Sequence, residues 1–215
     1  INKGIEFAAV IFPVIMFFLT MIVFFFFVRE IFIEENSKNK LKANMIALIS
    51  LFFLILIPAF LPRSIAGIPE KESAAFFFMF LSFYLFLRAW KSRKISNAVI
   101  LGILAGVSTG VMALIWGGFI YVFLTIGLAS IIMFILNNVK KNQFITYFSW
   151  LIISFFVINY FSNRYDIIGL GGITLYVMGL AFLSLFIMVV NYLVWNTKFI
   201  KIKFIRESKL PRTII

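Results

Sequence analysis

Seven long apolar stretches recur along the chain and limit its fold more than any other feature. They cover residues 5–28, 43–61, 73–87, 98–115, 119–136, 145–161 and 173–195. Most are close to the ~20 residues that a helix needs to cross a bilayer. Apolar and polar residues do not alternate along them, which disfavours a β-barrel. The pattern predicts an all-α fold, a polytopic transmembrane helical bundle with about seven spans, integral to its membrane.

The composition narrows the kinds of chemistry that this chain can perform. Apolar residues make up 63% of it, and the net charge is +12. In so apolar a chain, we expect the basic residues to lie beside anionic membrane lipid, with no nucleic acid as a partner. There is no cysteine and no histidine. Thiolate and imidazole ligands are therefore excluded, and acid–base or metal chemistry must use the eight acidic residues.

The basic residues also predict which side each loop faces. Alternating spans place 16 of the 20 lysines and arginines on one side of the membrane, which we assign to the cytoplasm. The loop between the second and third spans then faces outward. Only four residues precede the first span, and no signal peptide is visible. We therefore expect a fragment, residues 1–215 of a partial transmembrane domain, with at least one upstream span missing.

Two glycine patterns predict how the helices pack. Gly102, Gly106 and Gly110 recur every four residues, a spacing that lets two helix backbones approach closely. A groove for a lipid chain or substrate is the alternative interpretation. Trp116-Gly117-Gly118 separates the fourth and fifth spans, and its glycines predict the backbone angles of a tight reversal.

The outward loop, PAFLPRSIAGIPEKE, carries Arg63, Glu70, Lys71 and Glu72. One interpretation is purely structural, with Pro69 as the first helical residue and the glutamates stabilising the helix N-terminus. The other is a cation site, because carboxylate oxygens bind Mg²⁺ or Mn²⁺. Two carboxylates are too few to complete such a site, and in a helix Glu70 and Glu72 would lie about 200° apart. The local sequence leaves both interpretations open.

At this loop the sequence resembles the catalytic subunits of oligosaccharyltransferases, the GT-C-type membrane glycosyltransferases of protein N-glycosylation. Residues 63–72, RSIAGIPEKE, are similar to that family's outer loop, Arg-Ser-x-Ala-Gly-x-x-acid-x-acid. Residues 113–123, ALIWGGFIYVF, are similar to its later Trp-Gly-Gly-aromatic turn. The resemblance covers most of residues 5–136 and implies a GT-C-like fold.

This resemblance implies a transferase when the protein is full length. The glycan would move from a polyprenyl or dolichyl (di)phosphate carrier to Asn of Asn-x-Ser/Thr on the non-cytoplasmic face. Glu70 matches a ligand of the divalent cation, Mn²⁺ or Mg²⁺. Glu72 matches a second ligand or a catalytic acid, and Arg63 matches the catalytic arginine beside them. We expect the protein to lie in a prokaryotic cell membrane, that of an archaeon.

The chain also departs from the family pattern. Glu70 stands where the family usually has Asp, and Lys71 lowers the negative charge between the acids. The family's first acidic loop and its C-terminal globular domain are missing from these 215 residues. We therefore expect the fragment alone to be inactive.

Two other functions stay open. Another polyprenol-dependent glycosyltransferase, of the O-mannosyltransferase kind, would also place acids in outer loops but would lack the Trp-Gly-Gly turn. A non-catalytic transporter or lipid-binding module would keep ionisable groups near the bilayer midplane. The predicted spans carry no acid or base at their centres, which favours the transferase.

Overall fold

Helices make up nearly all of the computed structural model. It describes residues 3–33, 39–58, 60–136, 139–162 and 173–196, the last range with side chains for 178–190. The helices are α1 Lys3–Phe32, α2 Lys40–Leu56, α3 Lys71–Trp90, α4 Ile95–Ile115, α5 Ile120–Ile135, α6 Lys141–Phe161 and α7 Ile173–Asn196. Short 3-10 turns follow at Leu61–Ser64 and Gly117–Phe119. These described residues contain no strand, and the predicted all-α fold is confirmed.

Five of these helices are long and apolar enough to cross a membrane. They are α1, α3, α4, α6 and the segment Gly117–Ile135 that contains α5. Helix α2 has only 17 residues, and the apolar part described within α7, Met178–Val190, is also shorter. Large apolar side chains such as Phe18 and Phe156 lie exposed on the helix exteriors. Such surfaces suit lipid contact, and the chain is a multi-pass integral membrane protein.

The second helix ends before the predicted span does. That span was expected to reach residue 61, but α2 ends at Leu56. Ile57 follows in an extended conformation, with φ −69° and ψ 118°. It precedes Pro58, whose ring disfavours helical angles in the residue before it. The described residues that follow, Ile57, Pro58 and Phe60, lie outside the helix, and a 3-10 turn begins at Leu61.

Helix α4 lies at the centre of the bundle, between α3 and α6. Its three spaced glycines all face α6. A Cβ atom on Gly106 would lie 2.8 Å from the carbonyl oxygen of Trp150, and one on Gly110 would lie 2.5 Å from Cγ1 of Val157. Both distances are shorter than real side chains tolerate. The glycine spacing therefore serves helix packing, as predicted.

The two ends of the bundle differ in charge. Successive helices run in opposite directions, so the ends of α1, α3 and α5 lie beside the starts of α2, α4 and α6. Nine of the twelve described lysines and arginines lie at this end of the bundle, here called the basic end. They are Arg29, Lys40, Lys42, Arg88, Lys91, Arg93, Lys94, Lys140 and Lys141. Side-chain amides hold this end together, since Asn142 Nδ2 donates to the Arg93 carbonyl at 2.8 Å and Gln143 Nε2 to the Trp90 carbonyl at 3.1 Å.

The opposite end, here called the loop end, carries Lys3, Arg63 and Lys71. The other basic residues in the predicted charge distribution lie outside the described residues: Lys38, Arg164, Lys198, Lys201, Lys203, Arg206, Lys209 and Arg212. Which end faces the cytoplasm therefore stays a prediction.

Candidate functional site

The acidic loop, residues 63–72, is anchored to α1 through its backbone. Gly67 has φ +85°, a left-handed angle that favours glycine, and its N–H donates to the carbonyl of Val10 at 3.3 Å. Just before it, Ser64 Oγ donates to the carbonyl of Phe60 at 3.2 Å and closes the 3-10 turn. The loop therefore has a defined path between α2 and α3, and this path places Arg63 and both glutamates at the loop end.

Arg63 and Glu72 form an ion pair across this loop. Nη1 of Arg63 lies 3.5 Å from Oε1 of Glu72. The arginine side chain is 42% exposed and the glutamate side chain 16%. Since the arginine is partly in water, the pair contributes at most about 1 kcal/mol to stability. Its clearer effect is to orient the Glu72 carboxylate toward the 3-10 turn.

Glu70 occupies a different environment from Glu72. It precedes α3 in an extended conformation, with φ −78° and ψ 139°. Its carbonyl accepts a hydrogen bond from Ser73 Oγ at 2.7 Å, while its carboxylate has no partner among the described residues. The two acids therefore differ: arginine pairs with the Glu72 carboxylate, and no described residue pairs with that of Glu70.

The start of α3 differs from the structural interpretation of this loop. Pro69 was expected as the first helical residue, but the helix begins two residues later, at Lys71. The extended Glu70 separates the proline from the helix. Lys71 itself is exposed, and its amine lies beyond salt-bridge distance of both glutamates.

A row of aromatic rings connects the two sequence motifs. The ring centroids of Phe60 and Phe76 lie 5.2 Å apart, and those of Phe76 and Trp116 lie 6.1 Å apart. Phe60 also stacks on Phe17 of α1, at 5.4 Å. The acidic loop and the Trp116 turn therefore meet at one end of the bundle, through residues that sequence reasoning missed. One signal was available, because Phe76 lies four residues after Glu72, on the same face of a helix.

The glycines of the Trp116 turn have a different role than predicted. Its glycines were expected to supply unusual backbone angles, but among the described glycines Gly67 alone has a positive φ. Instead, a Cβ atom on Gly118 would collide with the Trp116 ring. Trp116 is extended, with φ −147° and ψ 138°, and its indole lies over Gly118. The missing side chain makes room for the indole ring.

The carboxylates fit a divalent cation in type but not in number. Oxygen donors suit Mg²⁺ and Mn²⁺, which take about six ligands. Within the described ranges, no group of three or more acidic, histidine or cysteine residues is close enough to hold a metal. Glu70 has a carboxylate to offer, while Glu72 shares its carboxylate with Arg63. Further ligands would have to come from outside the described residues.

The fold and the site together define a class: a polytopic helical membrane protein with a charged, ordered loop at one end. The family model of oligosaccharyl transferase STT3, N-terminal, matches residues 3–210. The chain therefore belongs to this family, as the resemblance predicted. The match favours an oligosaccharyltransferase over the two alternatives, an O-mannosyltransferase-like enzyme and a transporter or lipid-binding module. No curated protein matches the chain.

Two solved structures of the Archaeoglobus fulgidus oligosaccharyltransferase have a similar fold. One is tethered by a disulfide bond to an acceptor peptide with the NVT sequon, and it matches with a TM-score of 0.67. The other is a complex with Zn and sulfate, with a TM-score of 0.65. Each is 21% identical to this chain and covers 91% of it. The chain spans 24% and 25% of their lengths, about a quarter.

Proposed function

We propose that this chain is part of a membrane oligosaccharyltransferase. The enzyme would transfer a glycan from a polyprenyl or dolichyl (di)phosphate carrier to Asn of Asn-x-Ser/Thr, on the non-cytoplasmic face of a cell membrane. The observation that carries the proposal is the family match over residues 3–210, joined to an acidic loop held by the Arg63–Glu72 ion pair. The archaeal source of both similar structures also favours an archaeal cell membrane.

We assign the site residues different roles because their environments differ. Glu70 would be a ligand of a divalent cation, Mn²⁺ or Mg²⁺, since its carboxylate has no partner among the described residues. Glu72 would face the same site from the first turn of α3, as a further ligand or a catalytic acid. Arg63 would hold the Glu72 carboxylate in place and offer its remaining N–H groups to the phosphate oxygens of the donor.

The charges suit a diphosphate leaving group. A bound divalent cation would act as a Lewis acid, neutralising negative charge on the leaving diphosphate. Arg63 keeps a permanent positive charge on a side chain that is 42% exposed, and can therefore reach a donor at the membrane surface. The apolar exteriors of the helices fit the polyprenyl chain, which stays in the lipid.

The test is Glu70→Gln in the enzyme that contains this chain. It is assayed with a lipid-linked oligosaccharide, an Asn-x-Thr peptide and Mn²⁺. Loss of a direct metal ligand should lower peptide glycosylation on the order of a hundredfold or more, because even partners behind the ligands cost 10–100-fold when removed. The variant should insert into the membrane normally, since Glu70 makes only backbone hydrogen bonds.

The matched control is Glu6→Gln. Glu6 is an exposed acid in the first turn of α1, at the same end of the bundle. It should keep full activity, because it lies outside the loop of residues 63–72. Equal activity of Glu70→Gln and Glu6→Gln would rule out Glu70 as a ligand. Absence of glycosylation in the unmodified enzyme, with and without Mn²⁺, would overturn the proposed function itself.

A further inference from the structure

A cavity opens at the basic end, away from the acidic loop. Its volume is about 980 Å³, in the range of small-molecule sites, and α1, α2, α3 and α4 all contribute to its lining. Four cationic side chains and one acidic side chain line it: Arg29, Lys40, Arg88, Lys91 and Glu30. The cavity therefore has an excess of three positive charges, which favours an anionic ligand.

Neutral partners fix three of these cations in place. Arg29 Nε donates to Asn44 Oδ1 at 2.8 Å, and Arg88 Nη1 donates to the Tyr84 hydroxyl at 2.5 Å. Lys91 Nζ donates to the backbone carbonyls of Glu30 and Ile33. None of the three has a carboxylate of the described residues within salt-bridge distance. Their positions are set, no described carboxylate compensates their charge, and the arginines keep further N–H donors.

The surroundings favour a membrane lipid as the source of the anion. The cavity lies at the basic ends of apolar helices long enough to span a bilayer, and Phe26, Ile33 and Leu101 line it beside the charged groups. On the other side of Lys91, an apolar groove of about 690 Å³ runs between α1, α3 and α5. Lys91 lines both spaces. The phosphate of a lipid could therefore bind in the basic cavity while its acyl chain lies in the adjacent apolar groove.

We propose that this cavity binds the phosphate group of an anionic membrane phospholipid, through Arg29, Arg88 and Lys91. Basic pockets between transmembrane helices bind such headgroups because the cations meet the phosphate where hydrocarbon gives way to water. The site is separate from the acidic loop. It would hold α1 and α3 together at their basic ends, where Lys91 already connects the two helices.

The experiment compares lipids retained by the purified protein after reconstitution into phosphatidylcholine vesicles with or without phosphatidylglycerol. Native mass spectrometry counts the bound lipids. The unmodified chain should retain phosphatidylglycerol in preference to phosphatidylcholine. Arg88→Gln should lower that preference about fivefold, the effect expected of one cation at the membrane surface. Arg88→Lys, which keeps the charge, should preserve most of it.

A double variant and its control separate a built site from general charge attraction. R88Q/K91Q should lose nearly all the preference for phosphatidylglycerol. K42Q/K141Q removes two charges from the same end, and neither residue lines the cavity. It should retain the preference. Equal loss in the two double variants would overturn the proposal.

Two further measurements keep the result interpretable. Thermal unfolding in phosphatidylcholine alone should be nearly the same for Arg88→Gln and the unmodified chain, because the exposed Arg88 interacts with Tyr84 of its own helix, through one hydrogen bond and the ring face. Added phosphatidylglycerol should raise the midpoint of the unmodified chain only. If inorganic phosphate raised that midpoint equally in phosphatidylcholine, the ligand would be a free anion and the lipid proposal would be wrong.

Discussion

At the scale of the residue, single backbone angles and single charges determine the geometry of the loop. Gly67 turns the chain into a left-handed conformation and donates its N–H to α1. Arg63 then pairs with Glu72, while the Glu70 carboxylate has no partner in the described part of the chain. The sequence identified these residues through the family pattern, but it could not show which of the two acids pairs with Arg63. That pairing depends on where α3 begins.

Gly67→Ala should destabilise the chain through its backbone alone. No atom lies within 4 Å of a Cβ built on Gly67, so a steric clash is not the reason. The left-handed angle costs a residue with a side chain about 1–2 kcal/mol. Thermal unfolding of the purified chain should show a lower midpoint.

Gly117→Ala is the matched control for this change. A Cβ on Gly117 also meets nothing within 4 Å, but its φ is not positive. The control should be neutral or slightly stabilising, because alanine lowers the entropy of the unfolded chain. Equal midpoints for the two variants would contradict a strained backbone at Gly67.

At the scale of the element, hydropathy predicted where each helix lies but not how each ends. The seven apolar stretches lie within a few residues of the seven α-helices that the structure describes, because a span through lipid requires a continuous apolar helix. Pro58 shortened α2 at the preceding residue, and Glu70 delayed the start of α3. Helix ends depend on local backbone angles and on contacts distant in sequence. The ring contacts of Phe76 with Phe60 and with Trp116 are of this kind, and a hydropathy pattern cannot predict them.

Gly106→Ala tests the close approach of α4 and α6. The added Cβ would meet the Trp150 carbonyl oxygen at 2.8 Å and Cβ of Ile153 at 2.9 Å, so the helices must move apart. Overpacking of this kind costs about 1–3 kcal/mol. The midpoint of thermal unfolding in detergent should fall.

Gly179→Ala provides the comparison within a helix. Gly179 lies in α7, is exposed, and has nothing within 4 Å of a built Cβ. Alanine there should leave the midpoint unchanged or raise it, because alanine has the higher helix propensity. Equal changes in midpoint for the two variants would contradict a close approach of α4 and α6 at Gly106.

At the scale of the whole molecule, the bundle separates two charged regions. The loop end carries the ordered acidic loop with the Trp116 turn beside it, and the basic end carries most of the described cations. Membrane proteins retain basic loops in the cytoplasm, so this asymmetry predicts that the acidic loop faces outward. The proposed chemistry requires that orientation, because donor and acceptor would meet on the non-cytoplasmic face.

The most direct test is therefore the side of the membrane that the loop faces. The chain has no cysteine, so Lys71→Cys and Lys141→Cys each introduce a unique thiol, at exposed positions on opposite ends. A membrane-impermeant maleimide should label Lys71→Cys in intact cells, and Lys141→Cys only after the cells are permeabilised. Labelling of Lys141→Cys alone in intact cells would place Glu70 and Glu72 in the cytoplasm and contradict the account.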